Sequence, residues 1–223
     1  MLPVSLIIPA LNEAKTLPLL AKRLPADIEV IVVDNGSSDD TALIAKNLGY
    51  KVISEPRRGY GAAVWAGSQA ASKQILVYAS ADGSDPVEQL QSLVIALENG
   101  ALVSSAARIT TAGEMNWLQT IGNRLLCYLI HLRWGVHFQD IGPFRAIRRD
   151  TLDMLNMTDR GFGWTIEMQI KAASSKLSWK EIPLPYQARQ AGRSKISGTI
   201  RGSISASIFM LWTFCWLAVR LRA

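Results

Sequence analysis

The strongest constraint on the fold is a short repeat of apolar runs and helical segments in residues 1–100. The runs VSLII (4–8), EVIVV (29–33), KVIS (51–54) and QILVYAS (74–80) carry apolar residues without regular polar alternation. Strands of that composition are typically buried on both faces, as in a parallel sheet covered by helices on either side. The spacing therefore predicts an α/β fold with a Rossmann-like, mostly parallel sheet, whose binding groups follow the carboxyl ends of the strands.

The second half of the chain departs from this repeat. It predicts a strand at 102–109 (LVSSAARI), a helix at 115–132 and a short strand after the turn DIGPFR. A helix (GFGWTIEMQIKAASS) and an edge strand limited by its prolines (WKEIPLPYQAR) follow. Six of the seven tryptophans lie from Trp117 onward, which fits a half that handles an acceptor or an interface, although core filling also explains them.

Composition narrows the class of protein only modestly. A chain of 223 residues fits one domain, and 49% hydrophobic residues supply a sizeable core. The net charge of +6 suits anionic partners such as nucleotides, phosphates or acidic lipid surfaces, although solubility alone also explains it. Cys127 and Cys215 lie in apolar runs, which predicts buried, reduced thiols in a cytosolic protein. The opening MLPVSLII has no positive charge before its apolar run and is a poor signal peptide but a good first strand.

An uncharged apolar segment at 202–219 (GSISASIFMLWTFCWLAV) precedes the basic sequence RLR. It is just long enough to span a bilayer, but it contains several small polar residues. Three interpretations stay open: a core helix, a helix that lies in the membrane interface, and a single span.

Polar turns follow four of the predicted strands, namely PALNE (9–13), DNGSSDD (34–40), EPRRGYG (55–61) and ADGSDP (81–86). Because the carboxyl ends of parallel strands share one sheet edge, the four turns indicate a ligand that lies across that edge. The carboxylates of Glu13 and Asp34 are suited to the N–H groups of a base and the hydroxyls of a ribose. The alternative for Asn12, Ser38 and Asp39 is a role as helix cap or turn former.

The turn ADGSDP predicts a site for a hard divalent cation such as Mg²⁺ or Mn²⁺, which takes oxygen ligands. Asp82 is the main candidate ligand, with help from Ser84 or Asp85. A clamp of two aspartates would need an acid at position 80, where the chain has Ser80. A generic acidic turn is the alternative interpretation.

Two basic segments could bind phosphate oxygens. The glycine-rich turn RRGYG, with Gly59 and Gly61, offers cations and backbone N–H donors to a diphosphate. Arg189, Arg193 and Lys195 supply further cations around the turn GRSK. The alternative is that these charges only form a solvated face.

Together these motifs resemble the inverting family 2 glycosyltransferases of the GT-A fold, and more closely the polyprenol-phosphate (dolichol-phosphate) sugar transferases. The segments that carry the resemblance are VSLIIPALNE, VIVVDNGSSDDT, RRGYGAA, ADGSDP, DIGPFRAIRRD, GWTIEMQIKA and GRSKISGT. Each is weak alone, but their order and spacing are specific. The resemblance implies a nucleotide-sugar half at 1–100, an acceptor half at 101–200 and an apolar C-terminal helix at 201–223 that associates with a membrane or packs as core.

The resemblance also implies roles for individual residues. The nucleotide would be lined by Pro9, Asn12, Glu13, Asp34, Gly59, Gly61 and Ala81. The metal would be held by Asp82 with Ser84, and the phosphates by Arg189, Arg193, Ser194 and Lys195. Catalysis would fall to Asp140, Arg145 and Glu167, near the transferred sugar and the acceptor. The chain departs from the family at Ser80, where members usually carry an aspartate, and at Asn35, where many carry a second acid.

The implied reaction transfers a sugar, with inversion, from a UDP- or GDP-linked donor to a polyprenyl phosphate at the cytoplasmic face of a membrane. A lipid phosphate is already largely anionic at neutral pH, since its second pKa is about 6, and it could attack with little help. One alternative is a soluble transferase with a hydroxyl acceptor, which would need Asp140 or Glu167 as general base. Another is a catalytically silent nucleotide-sugar binding module. No G-x-G-x-x-G follows the first strand, which argues against a dinucleotide-binding dehydrogenase, and no nucleic-acid partner is expected.

Overall fold

The computed structural model describes residues 3–110, 117–187, 189 and 200–221. Its strands and helices are, in chain order, β1 (Val4–Ala10), α1 (Leu17–Ala21), β2 (Glu29–Asp34), α2 (Thr41–Asn47), β3 (Lys51–Ser54), α3 (Tyr60–Ala70), β4 (Ile75–Tyr78), α4 (Leu90–Glu98), β5 (Val103–Ile109), α5 (Trp117–Trp134), β6 (Arg145–Arg148), α6 (Arg149–Leu155), α7 (Trp164–Ser174), β7 (Trp179–Pro185) and α8 (Ile200–Arg220).

The strands form one seven-stranded sheet in the order β3-β2-β1-β4-β6-β5-β7. All neighbouring pairs are parallel except the two that involve β6, which runs antiparallel to both β4 and β5. The amino end of β6 therefore lies at the same sheet edge as the carboxyl ends of the other strands, with Arg145 opposite Tyr78. The mostly parallel α/β sheet predicted from the sequence is confirmed, and β7 lies at the sheet edge as its prolines predicted.

The strands are apolar on both faces because both faces are covered by helices. One core packs α1, α2 and α4 against the sheet, with Leu6, Val32 and Val77 at its centre. The other packs α3, α6 and α7 against the opposite face, around Ile7 and Tyr78. This arrangement explains why the strands show no polar alternation along their sequence.

A third apolar cluster lies between α5, α7 and α8, and includes Ile130, Ile170 and Phe214. The two outer helices of this cluster also expose large apolar side chains, which are Ile121, Leu125, Tyr128 and Leu132 on α5 and Ile208, Phe209, Leu211, Trp212 and Val219 on α8. No helix among the described residues is both long and apolar enough to cross a membrane.

Two local expectations are wrong. Asn12 does not cap a helix, because α1 begins five residues beyond it, at Leu17, and Asn12 itself adopts a left-handed backbone with φ 53°. Both cysteines are free, but only Cys127 is buried; Cys215 lies on the exposed side of α8, since that helix packs inward through Phe214 and Leu217.

Candidate active site

A cavity of about 530 Å³ opens at the sheet edge where the parallel strands end. Residues after β1, β2, β3, β4 and β7 contribute to its wall, together with Arg108 near the carboxyl end of β5 and the loop that precedes β6. Its charged and polar lining includes Glu13, Asn35, Arg58, Ser80, Asp82, Ser84, Arg108 and Arg189. Its apolar lining includes Leu126, Ile141, Pro143, Phe162 and Met210. The cavity thus has polar groups from the strand ends and apolar groups from α5, α8 and the loops beside them.

The turn after β4 holds one carboxylate toward the cavity and buries the other. The Oδ1 of Asp82 accepts hydrogen bonds from the backbone N–H of Ser84 at 3.0 Å and from its hydroxyl at 2.6 Å. Asp85 is 1% exposed, and its Oδ2 accepts the N–H of Ser80 at 2.7 Å. Burial, with the charge of Asp82, raises the pKa of Asp85 to about 6. Asp85 therefore shapes the turn, while Asp82 faces the cavity.

Arg189 connects this turn to the loop after β1. Its Nη1 lies 3.0 Å from Oε1 of Glu13, and its Nη2 lies 3.4 Å from Oδ2 of Asp82. The Nε of Arg189 is buried without a hydrogen-bond partner among the described residues. The structure thus brings together Glu13, Asp82 and Arg189, three of the residues that the sequence proposed for nucleotide, metal and phosphate.

The other predicted nucleotide residues divide between the cavity wall and the loops behind it. Pro9 and Ala81 line the cavity. Asn12 accepts the N–H of Ser38 at 2.7 Å, and Asp34 accepts the N–H of Ser37 at 3.1 Å. Asn12 and Asp34 therefore fix the loop after β2 in this structure, as the turn-former alternative stated for Asn12.

Asn35 lines the cavity and was missed as a site residue. Its side-chain N–H₂ group donates to the carbonyls of Glu55 at 2.9 Å and Arg57 at 2.6 Å, and its Oδ1 accepts the N–H of Gly59 at 2.9 Å. A carboxylate could not donate to two carbonyls. These three hydrogen bonds therefore require an amide at position 35.

The glycine-rich turn serves the fold more than the predicted diphosphate. The N–H of Gly61 donates to the carbonyl of Gly161 at 2.8 Å, and that of Ala62 donates to Arg160 at 2.9 Å. A Cβ at Gly61 would lie 2.8 Å from the carbonyl oxygen of Asp159. The prediction that this turn offers free N–H donors is wrong for Gly61, because the loop before α7 already binds them; Gly59 does line the cavity.

Asp140 is bound to an arginine rather than free as a base. Its two carboxylate oxygens each accept a 2.6 Å hydrogen bond from the guanidinium of Arg108, and Oδ2 also accepts the Arg108 backbone N–H at 3.1 Å. Burial alone would lower the pKa of Arg108, but the hydrogen bonds and charge of Asp140 raise it above its ordinary value. Arg108 lines the cavity and was missed, although its position at the end of β5 was a usable signal.

The other two predicted catalytic residues are buried and do not line the cavity. Arg145 is 1% exposed and donates to the carbonyls of Gly142 and Thr165. Burial lowers its pKa to about 10. Glu167 is also 1% exposed and accepts hydrogen bonds from Thr158 and from the N–H of Asp159, besides an ion pair with Lys171 at 2.7 Å. In this structure Asp140, Arg145 and Glu167 each bind groups of the protein itself, and none of the three lines the cavity; their place near the transferred sugar and the acceptor stays a prediction.

The donor atoms of the turn after β4 suit a divalent cation that takes few ligands from protein. The Oδ2 of Asp82 faces the cavity, whereas the Ser84 hydroxyl already binds Oδ1 of the same carboxylate. In the described part of the chain, no three acidic, histidine or cysteine side chains come together as metal ligands. A hard cation could accept one carboxylate oxygen here if a diphosphate and water completed its shell. Arg193, Ser194 and Lys195 lie outside the described residues.

The fold and the site agree with a single class of enzyme. The model of glycosyl transferase family 2 matches residues 5–155, and the chain belongs to that family. It is a glycosyltransferase with a GT-A fold.

Two relatives and one solved structure show the range of similar proteins. An uncharacterized glycosyltransferase of Mycobacterium tuberculosis is 38% identical over 204 residues, which cover 91% of this chain and 94% of the relative. The polyprenol monophosphomannose synthase of Mycolicibacterium smegmatis is 30% identical over 220 residues, with 86% of this chain and 80% of the relative covered. The structure of glucosyl-3-phosphoglycerate synthase from M. tuberculosis with Mn²⁺, UDP-glucose and phosphoglyceric acid has the same fold, at a TM-score of 0.79 and 22% identity, and covers 96% of this chain and 79% of that chain.

Proposed function

We propose that this glycosyltransferase moves a sugar from a nucleoside diphosphate donor to a polyprenyl phosphate, with a divalent cation at Asp82. The observation that carries the proposal is the two-sided cavity. Its charged lining, with Asp82, Arg189 and Arg108, suits phosphate groups, whereas Leu126 and Met210 suit a hydrocarbon chain. A prenyl phosphate carries a charged phosphate and a hydrocarbon chain in one molecule.

The surface around the apolar lining supports a lipid acceptor. Leu126 of α5 and Met210 of α8 line the cavity, and the same two helices expose apolar side chains such as Leu125, Tyr128 and Trp212. Large exposed apolar groups on adjacent helices are typical of a surface that contacts a membrane or partner. A lipid whose head group lies in the cavity could leave along this surface toward a bilayer, which supports a peripheral location at the membrane face.

The relatives support the same acceptor class. The mycobacterial relative whose name states its product is a polyprenol monophosphomannose synthase, and it aligns over most of both chains. The solved structure that holds Mn²⁺, UDP-glucose and phosphoglyceric acid supports a divalent cation and a nucleotide-sugar donor for this fold, with a small acid as acceptor in that protein. The apolar lining of this cavity favours the lipid.

The residues of the chain would act mainly through charge. When bound at Asp82, a Mg²⁺ or Mn²⁺ ion would supply electrostatic stabilisation of the departing diphosphate. Arg189 lies beside Asp82 and can contact the same diphosphate once it releases the carboxylate. Arg108, kept charged and oriented by Asp140, can bind the phosphate of the acceptor. Since that phosphate is already anionic at neutral pH, no protein base is required.

The experiment is a transfer assay with purified protein, UDP-glucose or GDP-mannose, Mn²⁺, and either geranyl phosphate or 3-phosphoglycerate. We expect a prenyl phosphate sugar as product, no product from 3-phosphoglycerate, and loss of at least about 100-fold in turnover for Asp82→Asn. The matched control is Asp150→Asn, an acid on α6 that does not line the cavity.

Other outcomes separate the alternatives. Transfer to 3-phosphoglycerate or another small hydroxyl acceptor would assign the soluble-acceptor class. Tight nucleotide binding without any turnover would support a silent binding module. Full activity without a divalent cation would overturn the role given to Asp82.

A further inference from the structure

The segment 157–163 between α6 and α7, named here the clamp loop, is held from three directions and carries an aromatic residue into the cavity. Phe162 lines the apolar part of the cavity together with Met210 and Leu126. The loop that carries this ring is held by contacts outside the cavity, and several of them are made by Glu167.

The amino end of the clamp loop is fixed by one buried carboxylate, that of Glu167. Glu167 Oε1 accepts the N–H of Thr158 at 2.9 Å and its hydroxyl at 2.7 Å, and Oε2 accepts the N–H of Asp159 at 2.8 Å. Lys171 balances the charge at 2.7 Å. With its lone pairs occupied and only 1% of the residue exposed, Glu167 is in no position to take a proton from a substrate.

From the donor side, the amino end of α3 binds the same loop. Gly61 and Ala62 donate their N–H groups to the carbonyls of residues 161 and 160, and the guanidinium of Arg160 lies 4.3 Å from the ring centroid of Trp65. A cation over an indole face is attracted to the ring, so Trp65 helps to hold Arg160 in place.

From the third side, α8 contacts the loop. Asp159 is hydrogen-bonded to the buried hydroxyl of Thr213. The ring of Phe209 packs so closely on the loop that a Cβ added at Gly161 would lie 3.1 Å from it. The clamp loop therefore connects α8, which exposes apolar side chains, to the wall of the cavity.

We propose that Phe162 positions the prenyl chain of the acceptor, and that Glu167 is a positioning residue that acts through the clamp loop. This inference rests on the proposed function. It assigns Glu167 a role in acceptor binding rather than in proton transfer. Loss of either residue weakens acceptor binding while the donor end of the cavity, built on Glu13, Asp82 and Arg189, is unchanged.

The test compares Phe162→Ala, Phe162→Leu and Glu167→Gln with the wild-type chain, using geranyl phosphate as acceptor. For Phe162→Ala we expect the KM for acceptor to rise about tenfold, the change that partial burial of a phenyl ring supplies. The KM for acceptor should rise less in Phe162→Leu than in Phe162→Ala. Glu167→Gln should raise the same KM without a change in the shape of the pH profile of kcat. The Kd for UDP, measured by calorimetry on the same samples, should stay within about twofold for all three.

Phe138→Ala is the matched control. Phe138 is buried against Trp179, with ring centroids 5.1 Å apart, and does not line the cavity. Phe138→Ala removes the same side-chain atoms from a buried position outside the cavity lining, so it should lower stability while the acceptor KM does not change.

The outcomes are separable. A wild-type chain that binds UDP but makes no prenyl phosphate sugar overturns the proposed function. An active wild type with unchanged acceptor KM in Phe162→Ala overturns the inference alone. If Glu167→Gln lowers kcat, leaves KM unchanged and removes the acidic limb of the pH profile, Glu167 is a general base and the inference is wrong.

Discussion

The Nη2 of Arg189 lies 3.4 Å from the Oδ2 of Asp82, the carboxylate oxygen available to a divalent cation. A metal ion bound at that oxygen would repel the guanidinium, so the two cations compete for it. Arg189 is thus the counter-ion of Asp82 in this structure.

Arg189→Met should bind Mn²⁺ more tightly than wild type when no nucleotide is present. Removal of the competing cation frees Oδ2, and a gain of about tenfold in affinity corresponds to about 1.4 kcal/mol. Calorimetric titration with Mn²⁺ alone measures it. Arg57→Met is the control, because it removes an exposed cation that lies 3.7 Å from Glu55, outside this site. Equal Mn²⁺ affinity in all three proteins would contradict the competition.

Asp140 and Arg108 should behave as one unit. Asp140→Asn leaves Arg108 without its two-point carboxylate partner, and Arg108→Gln removes the cation itself. We expect each single variant to lose about 10- to 100-fold in kcat/KM, and the double variant to lose no more than the worse of them. A double-mutant cycle provides the comparison. Fully additive losses would restore an independent catalytic role for Asp140.

The pH dependence of stability should report on Glu167. Burial alone would raise the pKa of Glu167, but the hydrogen bonds from Lys171, Thr158 and Asp159 lower it below the ordinary value of 4.5. A carboxyl with a lowered folded-state pKa contributes stability above its unfolded pKa and loses it as pH falls through the folded value. Chemical unfolding from pH 7 to pH 3 should therefore show a smaller loss of stability below about pH 4.5 in Glu167→Gln than in wild type. Parallel profiles for the two proteins would exclude this contribution.

Gly61→Ala should destabilise the protein by about 2 kcal/mol or more, because the added Cβ would meet the clamp loop backbone at 2.8 Å. Gly49→Ala is the informative comparison. That glycine has φ 80° but open space around a Cβ, so only the backbone cost of about 1 kcal/mol is expected. The denaturant midpoints of the two variants measure the loss of stability in each. A smaller loss for Gly61→Ala than for Gly49→Ala would show that the loop shifts away at little cost.

The sheet could be predicted from the sequence because buried parallel strands leave a direct trace, namely short apolar runs without alternation. Asp82 could be identified for the same reason, since it directly follows such a run. The direction of β6 left no comparable signal, because a run of four residues reads alike in a parallel and an antiparallel pair.

The acids of the second half could not be assigned from the sequence. Asp140 and Glu167 look like candidate bases until their partners are known, and those partners, Arg108 and Thr158, lie 32 and 9 residues away along the chain. Asn35 was noticed only as a departure from the family, although its amide is the group that its three partners require.

The reversed direction of β6 has a consequence for how the two halves of the chain share one site. The groups proposed to hold the donor, apart from Arg189, precede residue 100, whereas Arg108, Phe162 and Met210 follow it. One antiparallel strand between β4 and β5 brings the two sets to a single rim of the sheet. If the two proposed sets act as described, a substitution in the later set would change the preference for the acceptor and leave the preference for the donor as it is.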